Sequence, residues 1–266
     1  MNSQTGRTDE VSAAPVLDVR NVAVHFGGIK AVDGISLHLT EGKVFGVLGP
    51  NGSGKSTLLA ALTRLVDVTR GELLFDGRSY QKCRPSEVPQ LGIARTFQTV
   101  RLLAELTVRE NVALGADLHL SRSGGTRRTQ RAAAGALIDE TIERVGLAGL
   151  ERMRPGELSY GYQRRVEIGR AIALRPRLLC LDEPTAGMNR SERAEISQLL
   201  MRLRDEGLTA LLVEHDVQMM VETCDYLFAM NFGVLIAEGK PESVVREPAV
   251  QEAYLGRRWR KHASDN

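Results

Sequence analysis

The sequence feature that most restricts the fold is a glycine-rich stretch between an apolar run and a helical pattern. It matches the pattern G-x-x-x-x-G-K-[ST] and consists of Gly49, Pro50, Asn51, Gly52, Ser53, Gly54, Lys55 and Ser56. The apolar run Val44–Leu48 predicts a buried strand before it, and Thr57–Leu62 predicts a helix after it. This order of strand, loop and helix is the setting that a phosphate-binding loop requires.

The residues of this stretch suit the terminal phosphates of a nucleotide. Glycines let the backbone turn tightly, so that successive N–H groups point inward at a helix N-terminus and attract an anion. Lys55 is expected to reach the β- and γ-phosphates, and the Ser56 hydroxyl is expected to bind Mg²⁺. A plain glycine-rich turn before a helix is the alternative, and the flanking strand and helix disfavour it.

The composition indicates a soluble, globular protein. The chain has 266 residues, of which 42% are hydrophobic, enough for one large α/β domain or two small ones. The net charge of +2 is too small to indicate nucleic acid as a partner. No apolar run is long enough for a transmembrane helix, and residues 1–15 lack the apolar core of a secretory signal. We therefore expect residues 1–15 to be a disordered lead-in and the protein to stay in the cytoplasm.

The cysteines and the basic clusters carry little functional signal. Cys83, Cys180 and Cys224 form no CxxC pair and are expected to be reduced thiols. Basic residues near 122–131 and 257–266 are interpreted as a solvated loop and a solvated tail, in preference to lipid or nucleic-acid contacts.

Two candidate residues follow predicted strands before and after the phosphate-binding loop. Phe26 ends a strand predicted from Val16, beside a glycine pair, and could stack on a purine, with a core phenylalanine as an equal alternative. A second turn is predicted at Asp33-Gly34. Gln98 follows a strand that begins at Ile93 and could reach a metal or an attacking water. On its own, Gln98 is better interpreted as an ordinary loop residue.

The middle of the chain predicts helices. Thr107 is a possible cap for a helix to Leu114, and the loss of periodicity over 117–131 predicts a flexible insertion. The helical period then returns until Gly146. Ser159 is predicted to cap a helix that ends near Leu174, which makes a second helix N-terminus able to attract an anion. Alone, an ordinary capped helix is the preferred interpretation.

Charged side chains follow two further predicted strands. Asp182 and Glu183 follow the apolar run Leu178–Leu181, and His215 follows closely after Leu208–Val213. Ligands of open α/β sheets bind at the carboxyl ends of parallel strands. Asp182 is therefore expected to hold Mg²⁺, and Glu183 to accept a proton from the attacking water. His215 could hydrogen-bond a γ-phosphate or that water, with a structural histidine as the equal alternative.

The order of these motifs resembles the ATP-binding subunit of an ABC transporter from Val16 to Gly256. The matching motifs are the phosphate-binding loop, Gln98, Leu158–Gln163, Leu178–Glu183 and His215. The resemblance implies an α/β P-loop NTPase with a RecA-like core, an N-terminal antiparallel β subdomain and a helical signature subdomain over about 100–175. It also implies a single ATP-binding domain over 16–256, followed by a basic tail at 257–266.

The resemblance also implies a role for each motif residue. Glu183 would be the catalytic base and His215 the switch histidine, with Lys55 as the third catalytic residue. Ser56, Gln98 and Asp182 would hold Mg²⁺. The residues expected to bind ATP are Phe26 at the adenine, Gly49 to Thr57 at the phosphates, Gln98, and the signature residues Ser159 and Gly161.

Departures from the general family pattern indicate one branch of it. Tyr160 and Tyr162 replace the first Gly and the Gln of the usual signature, and Ala186–Asn189 replaces the usual Ser-Ala-Leu-Asp. Similarity to the branched-chain amino-acid importer branch rests on Tyr160, the turn Ala186–Asn189, Phe26-Gly27-Gly28, Arg95-Thr96-Phe97-Gln98 and the ending Ala253–Gly256. The insertion near 117–131 is similar to the larger of the two ATPases of that system. Members of this branch import several small polar solutes, so the solute stays open.

The resemblance implies partners and a location. ATP and Mg²⁺ would lie between two such domains paired head to tail, the second being a paralogue in preference to a copy. Two membrane-spanning permease subunits and a periplasmic or lipid-anchored solute-binding protein would complete the assembly, with this chain on the cytoplasmic face of the inner membrane. No nucleic-acid partner is expected.

Three alternatives stay open. An export-side cassette such as the lipopolysaccharide transporter ATPase has a similar ending, but a signature nearer the general pattern. A soluble ABC ATPase acting on ribosomes or DNA usually carries two fused cassettes or a long coiled coil. A non-catalytic nucleotide-binding module is disfavoured by Lys55, Asp182, Glu183 and His215.

Overall fold

The computed structural model describes residues 14–121 and 127–254. The predictions for the lead-in, except its last two residues, and for the basic tail lie outside the described residues. The described strands, in chain order, are β1 (Leu17–Phe26), β2 (Ile29–Leu39), β3 (Val44–Leu48), β4 (Arg70–Phe75), β5 (Arg78–Ser79), β6 (Ile93–Arg95), β7 (Leu178–Asp182), β8 (Thr209–Glu214), β9 (Tyr226–Asn231) and β10 (Val234–Gly239).

Helices alternate with the strands of the second half and fill the middle of the chain. They are α1 (Lys55–Leu62), α2 (Val88–Leu91), α3 (Val108–Leu120), α4 (Arg127–Arg144), α5 (Tyr160–Ala173), α6 (Arg190–Asp205), α7 (Val217–Thr223) and α8 (Pro241–Val244). A last helical segment covers residues 248–254. Within the described ranges, no helix combines the length and the apolar character needed to cross a membrane.

The first strands form an antiparallel sheet in the order β2-β1-β4-β5. The turn between β1 and β2 lies at the predicted glycine pair. The second predicted turn, at Asp33-Gly34, is wrong, because both residues lie inside β2. The pairing shifts there, since Val22 faces Ile35 and Val24 faces Val32. Gly34, at φ +79°, therefore absorbs the extra residue of a β-bulge.

The second sheet has the order β10-β9-β3-β8-β7-β6. Its strands from β9 to β6 are parallel, and only β10 runs antiparallel to its neighbour. Every residue of β3, β7 and β8 is buried. That burial explains their continuous apolar sequences, since a strand covered on both faces needs no polar alternation. Their carboxyl ends lie at one edge of the sheet, as do the ends of parallel strands generally.

Two helices in the middle of the chain begin where their predicted caps lie. Thr107 forms a capping box with Glu110 at the start of α3, and the Ser159 hydroxyl accepts from the Tyr162 amide at the start of α5. Ser159 therefore caps α5 as its type and position predict.

The predicted flexible insertion over 117–131 is largely wrong. Helix α3 continues to Leu120 and α4 begins at Arg127, while residues 122–126 lie outside the described ranges. Packing against α5 supports the end of α3, because Ala116 is fully buried and His119 Nδ1 lies 3.0 Å from the carbonyl oxygen of Leu174. Tertiary contacts thus extend a helix whose own periodicity has faded.

The hairpin between β9 and β10 packs against the phosphate-binding loop. Its two-residue turn consists of Phe232 at φ +44° and Gly233 at φ +81°, as a type I′ turn requires. The Gly233 amide donates to the Ser53 carbonyl at 3.0 Å, and the Gly233 carbonyl accepts from the Asp33 amide at 2.8 Å. The turn therefore joins the two sheets beside the loop.

Burial separates the three cysteines into two classes, which predicts their reactivity. Cys180 and Cys224 are buried, whereas Cys83 is half-buried. Burial raises the pKa of the Cys180 thiol to about 12 and also raises the pKa of the Cys224 thiol. Because the thiolate is the reactive species, we expect a chromogenic disulfide reagent at about pH 8 to label only Cys83 in the native protein.

The control for that labelling is a Cys83→Ser variant, which should show no rapid phase. All cysteines should react after denaturation. Rapid labelling of Cys83→Ser in its native state would show that the buried strand β7 or the end of α7 opens on the reaction timescale.

Candidate active site

The phosphate-binding loop between β3 and α1 is built around close backbone contacts. Gly54 has φ +100°, and a Cβ there would collide with the carbonyl oxygen of Ala31 on β2. A Cβ on Gly49 would collide with the carbonyl oxygen of Met230 and with the Ser53 side chain. The loop therefore fits between β2 and β9 only because these two positions lack side chains.

Lys55 is folded onto its own loop. Its side chain is buried, and its Nζ donates to the carbonyl oxygens of Gly49 at 2.8 Å and Pro50 at 3.0 Å. Burial lowers the pKa of Lys55, while the carboxylates of Glu183, Glu214 and Asp182 act in the opposite direction. The ammonium therefore sits in a poorly hydrated place where its field on an anion is strong.

Glu183 lies at the centre of a short polar contact series. Its Oε2 accepts from Gln98 Nε2 at 2.8 Å, and its Oε1 lies 3.8 Å from His215 Nδ1. Glu183 is a non-glycine residue in the left-handed region, at φ +44°, and its amide donates to the Val213 carbonyl at 2.9 Å. Such a strained backbone conformation persists only where the surrounding structure maintains it, and it is found most often at functional sites.

His215 is not a structural core histidine. Its side chain is 51% exposed and lies 3.7 Å from Glu214, as measured from Nδ1 to Oε2. The exposed ring therefore lies near enough to Glu183 for one ligand to contact both side chains.

Asp182 presents one bonded and one free carboxylate oxygen. Oδ2 accepts from Arg95 at 2.8 Å, while Oδ1 is buried and has no hydrogen-bond partner among the described residues. Oxygen donors of the Asp, Ser and Gln types suit Mg²⁺, which takes one or two carboxylates beside substrate phosphates. The donor set of Asp182, Ser56 and Gln98 thus fits this ion. Within the described ranges no group of three or more His, Cys, Asp or Glu forms a metal cluster.

A cavity of about 520 Å³ opens over the phosphate-binding loop, within the size range of small-molecule sites. The cavity is lined by Asn51, Gly52 and Gly54 to Thr57 of the loop, and by Gln98 and Glu183. Ile29, Lys30 and Ala31 also line it, together with Phe232 and Gly233 of the hairpin turn.

Some predicted residues lie outside this cavity. Phe26 does not line it, although its strand partner Ile29 does, and its 51% exposure rules out the core alternative. Ser159 and Gly161 stand at the N-terminus of α5 and do not line the cavity either. Within this chain, the second anion-attracting helix end is therefore separate from the first.

Two contributors were missed by reasoning from sequence. Phe232 is 84% exposed and lines the cavity, and its one signal was an aromatic residue in a tight turn. Glu214 is buried and accepts from the Thr185 hydroxyl at 2.6 Å, the Thr185 amide at 3.1 Å and the His215 amide at 3.2 Å. It therefore holds the segment after Glu183 against the end of β8. No local pattern distinguishes it from an ordinary strand-end acid.

Comparison with known proteins gives two family matches. The family model described as ABC transporter matches residues 32–186. A second model, described as branched-chain amino acid ATP-binding cassette transporter, matches residues 234–259. The first match includes the phosphate-binding loop and the acidic pair, and the second includes the strand β10.

Individual relatives match over almost their full length. The chain is 37% identical over 251 residues to the high-affinity branched-chain amino acid transport ATP-binding protein BraF of Pseudomonas aeruginosa, covering 91% of this chain and 98% of that protein. It is 36% identical over 250 residues to LivG of Escherichia coli, which carries the same description, with the same coverage. A solved structure, the ADP conformation of the ATP-binding cassette MJ1267, is similar with a TM-score of 0.80 and 32% identity, covering 92% of this chain and all of that one.

The close contact at Gly54 predicts a loss of ligand binding on a minimal substitution. Gly54→Ala should weaken binding of a fluorescent ATP analogue at least about tenfold, since an L residue in this region costs about 1–3 kcal/mol and its Cβ would collide with the Ala31 backbone. The measurement is equilibrium titration, with a thermal melt to verify folding.

Gly28→Ala is the matched control. A Cβ at Gly28 would meet nothing within 4 Å, and its φ lies outside the left-handed region. Gly28→Ala should bind the ATP analogue with the affinity of the parent protein. If Gly54→Ala bound it equally well, this account of the loop would be contradicted.

Proposed function

The chain belongs to the ABC transporter family and, on that premise, we propose that it hydrolyses ATP for an importer of branched-chain amino acids or related small polar solutes. The observation that carries the catalytic part is the hydrogen bond from Gln98 to Glu183 beside the phosphate-binding loop. The match of residues 234–259 to the branched-chain amino acid cassette model supports the choice of branch.

Binding of the phosphates falls to the loop and to Lys55. Loop residues at the start of α1 line the cavity, where their backbone amides would form an anion site with the positive end of the helix behind them. Lys55 already lies beside the loop carbonyls, so a phosphate oxygen would replace those acceptors without a large movement of the side chain. A bound anion would raise the lowered pKa of Lys55 again, because a nearby negative charge favours the ammonium form.

Glu183 is proposed as the base that accepts a proton from the attacking water. Its position is held by Gln98 on one side and by the strained backbone on the other, so the carboxylate is oriented before any ligand binds. His215 lies close enough to contact the same water or the γ-phosphate. Pre-arranged groups of this kind require little reorganisation at the moment of reaction.

Mg²⁺ is proposed as the cofactor, held by Ser56, Gln98 and Asp182. When bound, the ion would neutralise charge on the phosphate oxygens. Asp182 is suited to it because one carboxylate oxygen is buried without a partner among the described residues, a cost that a cation would relieve.

Pairing with a second cassette accounts for the separate helix end at Ser159. Two domains placed head to tail would bring Ser159 and Gly161 of one onto the nucleotide of the other, with a paralogue preferred as the second cassette. The ATP-binding domain is proposed to span 16–256, with its helical part at about 100–175. The permeases and a periplasmic or lipid-anchored binding protein would complete the importer at the cytoplasmic face of the inner membrane.

The alternatives have less support. The export-side cassette and the soluble ABC ATPase remain as other members of the same family, and the relatives compared above carry import-branch descriptions over almost their whole length. A non-catalytic module would not need Lys55, Glu183 and His215 at one edge.

Glu183→Gln is the variant that tests the catalytic assignment. In proteoliposomes with the permeases, the second cassette and solute-loaded binding protein, we expect less than about a hundredth of the parent hydrolysis rate with ATP affinity retained. The amide keeps the shape of the side chain but cannot accept the proton. Phosphate release and nucleotide titration give the two readouts.

Glu72→Gln, at an exposed position of β4, serves as the control and should hydrolyse ATP normally. Near-normal turnover in Glu183→Gln would remove Glu183 from its role. A parent assembly whose ATP hydrolysis is stimulated by neither branched-chain amino acids nor related small polar solutes would contradict the solute class while leaving the enzyme assignment intact.

The adenine contact is tested by two aromatic substitutions. Phe26→Ala should weaken ATP binding about 5- to 150-fold, because stacking a base on an aromatic ring is worth about 1–3 kcal/mol. Phe232→Ala should also weaken it, since that ring lines the cavity. Titrations with ATP and with inorganic triphosphate separate base contacts from phosphate contacts.

Leu65→Ala removes an exposed apolar side chain that does not line the cavity and is the control. Parent-like affinity in Phe26→Ala, with a loss in Phe232→Ala, would assign the base contact to the hairpin turn instead of the first strand.

A further inference from the structure

Helix α5 carries a fully buried ion pair that the proposed chemistry does not use. Arg164 is 0% exposed and donates from Nη1 to Glu167 Oε2 at 2.6 Å, one helical turn further along. Arginine and glutamate are almost never completely buried unless they are paired. A pair in such a position therefore calls for a reason beyond charge balance.

Both members of the pair bind the backbone of the segment that carries Gln98. Arg164 Nη1 donates to the Phe97 carbonyl at 2.6 Å, and Nη2 donates to the Gln98 carbonyl at 2.7 Å. Glu167 Oε1 accepts from the amides of Phe97 and Arg101, each at a longer 3.4 Å. The pair thus contacts carbonyls and amides of residues 97–101 at once.

Stability alone does not explain this arrangement. The desolvation of two charges offsets most of their attraction, and apolar residues of similar volume are often as stabilising. The buried face of α5 already contains such residues, including Val166, Ile168 and Ile172. The ion pair additionally fixes the orientation of the backbone that it contacts, because a planar guanidinium presents its donors in a rigid fork.

The same contacts link the N-terminus of α5 to the proposed base. Tyr160, in the first turn of α5, has its hydroxyl 3.2 Å from Arg164 Nη2. Arg164 holds the Gln98 backbone, and the Gln98 side chain donates to Glu183 at 2.8 Å. A continuous hydrogen-bonded series therefore runs from the exposed end of α5 to Glu183.

We propose that Arg164 and Glu167 are positioning residues that make segment 97–101 move as one body with the N-terminus of α5. Docking of that helix end on the nucleotide of a second cassette then sets Gln98, and through it Glu183, in the hydrolysing arrangement. The second statement rests on the proposed function, whereas the first concerns the single chain alone.

Hydrogen exchange on the isolated, nucleotide-free protein tests the first statement. The double variant Arg164→Met/Glu167→Leu removes both charges together, which avoids leaving one buried without its partner. We expect the amides of residues 97–101 to exchange at least about tenfold faster, with β7 unchanged. Parent-like exchange over 97–101 in a folded double variant would overturn the proposal.

Two further variants make this test specific. Arg165→Met is the matched control, because Arg165 lies on the same helix but binds Glu195 at 2.8 Å and the Val145 carbonyl at 3.1 Å. It should leave 97–101 unchanged. Arg164→Lys keeps the charge without the fork, so it should also loosen 97–101, and it replaces the double variant if that one does not fold.

Kinetics in the assembled transporter test the second statement. The double variant should lose at least about tenfold in kcat while nucleotide affinity stays within about twofold of the parent. Combining the double variant with Gln98→Ala should lower kcat little more than Gln98→Ala does alone, because both changes interrupt the same hydrogen-bonded series.

A parent-like kcat in the double variant would overturn the second statement. So would a combined variant whose fold-loss in kcat equals the product of the losses in the double variant and in Gln98→Ala. A parent protein that shows no hydrolysis at all would contradict the proposed function, and the exchange measurement would still decide whether the ion pair positions the segment.

Discussion

The parallel pairing of β3, β8, β7 and β6 is the constraint on which the site depends. These strands are covered on both faces, so their residues are apolar and polar side chains occur where the strands end. Parallel register brings those ends to one edge. Residues far apart in sequence, from the phosphate-binding loop to His215, meet there for that reason, and the cavity opens over the same edge.

Charged groups at this edge of the sheet lack fully matched partners, and an anionic ligand bound together with a cation would supply them. Lys55 is buried beside three carboxylates and satisfies itself on loop carbonyls, while one oxygen of Asp182 stays without a partner among the described residues. Glu183 is kept in a strained backbone conformation by its contacts with Gln98 and Val213. Each of these features costs stability in the free chain, and each would be offset by a phosphate–metal complex.

Much of the fold was predictable from local rules. The strand before the phosphate-binding loop and the helix caps at Thr107 and Ser159 follow from periodicity and capping chemistry, and the structure confirms them. Two predictions were wrong for a common reason. Gly34 looked like a turn and is a bulge held by pairing with β1, and residues after Leu114 looked irregular but stay helical because α3 packs on α5. In both places tertiary contacts overrode a correct local preference.

Short sequence patterns were enough to identify the family, the phosphate-binding loop and the polar residues at the strand ends, because each residue type in these patterns has a direct chemical task. Which residues reach the cavity, and which support it, depends on how the elements pack. Phe232 reaches it through a turn bonded to Ser53, and Glu214 and Arg164 act through backbone groups tens of residues away. A buried charge can be assigned a task only when its partners are known, and those partners come from strand order and helix packing, which no local pattern encodes.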